Sequence, residues 1–141
     1  MWYNINMKAM GIDFGLSRIG VALSDDTKFL ASPFETYHRV DKSKDIAHLL
    51  DIIKSKGVDE IVCGLPMNMQ GEEQAIAQKT RDFMDELKQQ IDIKISFVDE
   101  RLSSVLAEER LKETERDWKK RKQKLDAVAA CIILQDFLDC R

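Results

Sequence analysis

The chain contains no hydrophobic run approaching the roughly 18–20 residues that span a bilayer. Its first residues, Met1-Trp2-Tyr3-Asn4-Ile5-Asn6, lack the basic start and apolar stretch of a secretion signal. A cytoplasmic location is therefore expected. Cysteine is scarce: Cys63, Cys131 and Cys140 form no CxxC pair, so neither a disulfide framework nor a structural zinc site is expected, and they read as buried or terminal thiols. With only 6 glycines and 2 prolines among 141 residues, collagen-like and low-complexity classes are excluded. The remaining composition, 44% hydrophobic and 33% charged without internal repeats, is that of one globular domain over residues 1–141.

The formal net charge of −3 hides an asymmetry. Between Arg116 and Lys124 stand six basic residues and one acid, a net +5, which leaves −8 for the rest. A mildly acidic body thus carries a basic segment, either a solvated face or a contact for a polyanion, and so dense a block can also stay unfolded without one.

Lys8 to Phe14 and Arg18 to Ser24 are short apolar runs around Gly15-Leu16-Ser17, which predicts two strands and a tight turn. Phe29 to Tyr37 adds a third strand, with Pro33 placing it at an edge or a bulge. From Asp41 the period changes, with Ile46, Leu49, Leu50 and Ile53 at helical spacing and Gly57 as a stop. Glu60 to Gly64 reads as a buried strand, followed by a loop from Leu65 to Gly71. In the next helix Glu72 and Glu73 suit the positive N-terminal end, and Ile76, Thr80, Phe83 and Leu87 face inward. Ile93, Ile95 and Phe97 alternate with Lys94 and Ser96 in a strand ending at Val98-Asp99-Glu100. A helix then starts near Ser103 or Ser104, and a last one carries Leu125, Val128, Ala129 and Ile132. The order β-β-β-α-β-α-β-α-α implies an α/β protein: a mixed five-stranded sheet, three antiparallel strands then two parallel, with helices on both faces.

Three acids occupy positions where acids are costly. Asp13 lies between Ile12 and Phe14 in a predicted central strand, and by alternation Gly11 and Gly15 share its face and leave open space around it. The alternative is a strand that ends early, with Asp13 opening a turn. Asp99-Glu100 ends another strand, at the edge where ligands collect in open α/β sheets. Alternation gives Glu100 the polar face and leaves Asp99 to a structural hydrogen bond; the alternative is a solvated strand end. Asp126 is the only charge from Leu125 to Leu134, on a stripe with Ala129, Ala130 and Ile133. Its alternative is a cap or dipole partner in a first helical turn. If the three converge, they need a neutralising cation. Oxygen ligands without His or Cys favour Mg²⁺ or Mn²⁺, one ion or two, and hydrolysis of a phosphodiester. The loop Gly64-Leu65-Pro66-Met67-Asn68-Met69-Gln70-Gly71 stands before a helix, where backbone N–H groups meet phosphate, or is an ordinary strand-to-helix connection.

Gly11-Ile12-Asp13-Phe14-Gly15 with Arg18-Ile19-Gly20-Val21-Ala22, then Gly64-Leu65-Pro66 with Asn68 and Gly71, then Asp99-Glu100-Arg101-Leu102-Ser103-Ser104, and finally Lys124-Leu125-Asp126 make four ordered motifs. Together they resemble the YqgF family, also called RuvX, over nearly the whole chain from Lys8 to Leu138. The resemblance implies an RNase H-like fold with Asp13, Glu100 and Asp126 as catalytic, metal-binding carboxylates. It also implies a bacterial cytoplasmic nuclease that matures pre-16S ribosomal RNA or, by analogy of fold, resolves Holliday junctions. Substrate contacts are then expected from Gly15, Arg18, Gly64, Pro66, Asn68, Gly71, Arg101 and Ser103. The basic segment, through Lys119, Lys120, Arg121, Lys122 and Lys124, is expected to hold the phosphate backbone beside Asp126. Trp118 either stacks on an unpaired base or anchors a helix.

Two departures from the family pattern stand out. Leu16-Ser17 replaces the Thr/Ser-Lys often found after the first glycine, and the start extends beyond the usual one, with Met7 the alternative, so that residues 1–7 read as an N-terminal extension. Two other function classes compete. A binding module that does not cut has no need for buried acids beside a polyanion. An actin-like ATPase shares the Asp13-Phe14-Gly15 hairpin, but that fold needs two such domains. Nothing marks a dimer interface, so a monomer or weak dimer is expected, acting on nucleic acid and not on membranes.

Overall fold

The computed structural model describes residues 7–100 and 103–141. Five strands form one sheet in the order β3-β2-β1-β4-β5: β1 Lys8–Phe14, β2 Arg18–Ser24, β3 Ala31–His38, β4 Val58–Leu65 and β5 Lys94–Asp99. The first three pair antiparallel, and β4 and β5 join β1 in parallel. The helices are α1 Lys42–Lys56, α2 Ala75–Gln90, α3 Ser103–Thr114 and α4 Trp118–Asp139. Sheet order and strand directions are those of an RNase H-like fold. None of the helices described is long and apolar enough to cross a membrane.

Alternation along β1 sorts its side chains between two cores. Met10, Ile12 and Phe14 join Ile46 and Leu49 of α1 and Phe83, Met84 and Leu87 of α2 on one face. Ala9, Ala22 of β2 and Val62 of β4 meet Ala130, Cys131, Ile133, Leu134 and Leu138 of α4 on the other. A small third cluster, Ala107 and Leu111 with Val128 and Ala129, fastens α3 to α4.

The sheet is large-residued on the first face and small-residued on the second, and this decides how closely α4 lies. A Cβ at Gly11 would stand 2.7 Å from the carbonyl oxygen of Ala130, and one at Gly20 only 1.9 Å from that of Asp126. The space beside Asp13 is thus not left open at Gly11, as alternation alone suggested: the α4 backbone fills it.

Local signals act where they were read. Asp41 caps α1, accepting from Lys44 N at 2.8 Å, and Gly57 stops it at φ 70° with its N–H on Ile53 O. Pro33 lies on the edge strand, opposite a register shift at Val21/Ala22. Cys63 and Cys131 are buried and Cys140 is exposed. One reading is corrected: α2 starts at Ala75, so Glu72 and Glu73 precede it, and Glu73 pairs with Arg81 at 2.8 Å. Far from unfolded, the basic segment forms the first two turns of α4, with Asp117 as its cap accepting from Lys119 N at 2.9 Å.

Candidate active site

β1, β4 and β5 run parallel, so their C-terminal ends form one edge of the sheet. Asp13 stands there on the α4 side of central β1, one residue before its end. Glu100 follows β5 directly, and its N–H donates to Leu65 O at 3.2 Å, which extends the β4 pairing by one residue. Ile95 and Phe97 pack toward the α1/α2 core and Val98 toward α4. That alternation turns Glu100 to the side of Asp13 and Asp99 away from it.

Gly64, at the end of β4, makes room for the glutamate. A Cβ there would lie 2.6 Å from Glu100 Oε2 and 2.7 Å from Ile133 Cδ1. Ser103 fixes the turn that follows, with its N–H and its hydroxyl both donating to Glu100 O at 2.9 Å. Asp126 arrives from α4 over Gly20, the β2 residue paired with Asp13. It lies in the third turn of α4, which removes the cap reading.

The Asp13 and Glu100 carboxyls share a hydrogen bond. Burial, the Asp13 charge and that bond push Glu100 up to about 9, so Glu100 carries the proton and donates it to Asp13. Asp13 is itself raised by burial, opposed by the bond from Glu100, and raised further by the Asp126 charge. Asp126 Oδ2 accepts from Arg18 Nε at 2.6 Å. The site is thus a pair of buried, hydrogen-bonded carboxyls next to a third carboxylate paired with an arginine.

The other expected contacts divide. Arg18 is at the acids, though bonded to Asp126. Gly15 is committed to the β1–β2 turn, donating to Arg18 O at 2.9 Å, and its own carbonyl accepts from Arg39 Nη1 at 3.1 Å. In the 65–71 loop Asn68 Oδ1 accepts from the N–H groups of Gln70 and Glu72, Gly71 N–H (φ 82°) donates to Asn68 O, and Pro66 O accepts from Gln74 N. Those N–H groups are therefore spent inside the loop. Arg121 Nη1 grips the carbonyls of Glu115 and Arg116, and Lys124 pairs with Glu115 at 3.3 Å. Lys119, Lys120 and Lys122 stand on the exposed side of α4. Arg101 lies outside the described residues.

Sequence reasoning missed the structural use of Gly20 and Gly64 and the Arg18–Asp126 pair. The small residues Gly11, Gly20, Ala22 and Gly64 were the available signal for the first two. The third joins residues 108 positions apart and left no local signal.

Residues 7–140 match the family model described as "RuvX: Holliday junction resolvase". A protein of Endomicrobium trichonymphae named "Putative pre-16S rRNA nuclease" is 44% identical over 133 residues, covering 94% of this chain and 95% of its own. One of Roseiflexus sp. with the same name is 45% identical over 132 residues, covering 94% of each. Among solved structures, T. thermophilus RuvC in complex with Holliday junction substrate superposes with a TM-score of 0.63 at 13% identity, over 96% of this chain and 95% of that one. Fowlpox virus resolvase with its junction DNA gives 0.59 at 10% identity, over 95% and 98%. At such identities the structural likeness establishes the fold. By its family model and its relatives, this chain is a member of the RuvX family.

Proposed function

We propose that this chain is a metal-dependent endonuclease that hydrolyses phosphodiester bonds in structured nucleic acid, acting in the cytoplasm on the 5′ end of pre-16S ribosomal RNA. The observation that carries the reading is the Asp13–Glu100 pair with Asp126 beside it, at the ligand edge of the sheet. Burying two carboxyls in contact is costly, and a fold gains nothing from it that an apolar pair would not supply.

The donor chemistry fits a hard divalent ion: the acids offer only oxygens, and their shared proton occupies the place a cation would take. Among the described residues no three His, Cys, Asp or Glu already form a metal cluster; Asp126 is engaged by Arg18 instead. Asp13, Glu100 and Asp126 would hold the ion once Asp126 exchanges Arg18 for it. Mg²⁺ or Mn²⁺ bound there supplies activation of the attacking water and neutralisation of charge on the leaving oxygen.

The rest is the work of the chain itself. To hold the ion, Glu100 would give up its proton to solvent water, and Asp126 would give up Arg18, whose guanidinium would then stand beside the acids where a phosphate can meet it. Lys119, Lys120 and Lys122 hold the backbone of the strand, and Gly20 and Gly64 keep the acids in register. Arg101 remains a proposed phosphate contact.

Ribosomal RNA is favoured over DNA by the names of the relatives at 44–45% identity. The second reading, a resolvase cutting branched DNA, is favoured by the description of the family model; symmetric cutting of a junction calls for two copies. Incubating a labelled pre-16S rRNA end and a four-way DNA junction side by side, with Mg²⁺, Mn²⁺ or EDTA, separates them. Metal-dependent cleavage of the RNA is expected; cleavage of the junction alone would reverse the assignment, and cleavage in EDTA would end the metal reading.

A further inference from the structure

We propose that Trp118 is a seat for one unpaired nucleobase of the substrate strand, one side chain (Arg18) away from the acids, so that the preferred substrate carries a bulge, loop or single-stranded end near the cut. The inference deepens the nucleic-acid reading above and rests on it.

Trp118 opens α4 and is 62% exposed, while the apolar residues that fasten α3 to α4 are buried. This answers the choice left by the sequence: the ring does not anchor a helix. Its place is nonetheless fixed. Asp117 caps the helix, and Arg121 holds the carbonyls of Glu115 and Arg116 at 2.9 Å each, so the turn bearing the indole is braced from behind.

Two cavities adjoin the ring. One, of about 380 Å³, has Leu111 and Leu125 as apolar lining, Lys112, Arg121 and Lys122 as cations, and Glu108 as an acid they outnumber. The other, of about 330 Å³, is lined with His38, Lys119 and Gln123. Both volumes lie in the range of small-ligand clefts. Arg18 lines both and donates to Asp126 Oδ2 at 2.6 Å. A base stacked on Trp118 is therefore one side chain away from the acids; Lys119 Nζ stands over the ring at 5.8 Å from its centroid, so the base takes the ring's other face or displaces it, and Lys122, which lines both cavities, is placed for a flanking phosphate.

An exposed aromatic face among cations is the arrangement that takes single-stranded nucleic acid, because each base has a π face and each linkage a charge. Bases inside a continuous duplex are stacked on both sides and offer no free face. Shape and charge together thus select an unpaired base over a paired one.

The test is binding in EDTA, where no cutting is required. A fluorescein-labelled single strand of about 12 nucleotides, as RNA and as DNA, and the same RNA as a blunt duplex are titrated with full-length protein, W118A and W118F. A Trp2→Phe background leaves Trp118 as the only tryptophan, since the chain has two. Either single strand is expected to quench Trp118 fluorescence. W118A is expected to bind single strands about 5- to 100-fold more weakly, the loss of one base stack, while duplex affinity stays within about twofold and W118F keeps most of the binding. Because the ring is mostly in water, the W118A melting curve should match wild type. Equal losses on single strand and duplex, or no loss on the single strand, would overturn the seat. Binding in the expected pattern by a protein that cuts nothing would remove the nuclease reading and leave the seat standing.

Discussion

At Gly20 one methyl group decides the distance between helix and sheet. Its Cβ would stand 1.9 Å from the Asp126 carbonyl, a backbone atom that no rotamer change can move. Gly20→Ala must lift α4 from β2 and carry Asp126 away from Asp13. We expect a stability loss of about 3 kcal/mol or more, read by urea denaturation, together with loss of cleavage. Gly64→Ala differs in degree, because its Cβ meets no backbone atom: the ends of Glu100, 2.6 Å away, and Ile133, 2.7 Å away, can swing aside, and only the Glu100 Cβ at 2.9 Å has to be pushed. That variant should melt closer to wild type than Gly20→Ala and still lose most of its activity. Asp13 and Asp126 were legible in the sequence because each interrupts an apolar pattern, and Glu100 because it ends a strand at the edge where ligands collect. The glycines that set their spacing were legible only as motif members, since the surface each one accommodates comes from a distant part of the chain.

Elements were legible wherever a local signal fixes them. Asp41 and Gly57 bound α1 in the sequence as in the structure, and Pro33 marked the edge strand. The start of α2 was not, because Glu72 and Glu73 serve the preceding loop: Asn68 bonds to Glu72 and Glu73 pairs with Arg81. The contact between the end of β3 and the first turn of α1 was silent too, although it centres on a buried carboxylate, Asp45. It is fully buried, accepts from Val40 N, Tyr37 Oη and Arg39 Nε, and thereby ties α1 to the Arg39 that braces the β1–β2 turn. Asp45→Asn leaves Arg39 without its counter-charge and should cost about 2–4 kcal/mol in denaturant unfolding. Cleavage should survive at temperatures where the variant is folded, since Asp45 touches none of the acids.

For the whole molecule, charge sets how stability and binding respond to solution conditions. Burial alone would raise Asp45, but its bonds to Val40, Arg39 and Tyr37 prevail and hold it below its ordinary value; Glu60 is likewise held low, against burial, by Lys28 and Arg141. A carboxyl whose folded pKa is depressed contributes stability above its unfolded pKa, about 4, and loses it as pH falls through the lower folded value. Thermal stability is therefore expected to drop below about pH 4, and Asp45→Asn should flatten that acid limb. In binding, the basic turns of α4 should dominate the salt response: removing Lys120 or Lys122 is expected to lessen the log–log salt slope by about 1 each. Whether Asp13 belongs to the chemistry or to the architecture shows in Asp13→Asn. The amide oxygen can still accept from Glu100 and the side chain keeps its shape, so the variant should melt close to wild type in EDTA and bind RNA equally well. The measurement is single-turnover cleavage of the labelled pre-16S rRNA end in Mg²⁺ by the two proteins. Asp13→Asn is expected to cut nothing detectable; cleavage at the wild-type rate would assign Asp13 to the architecture alone.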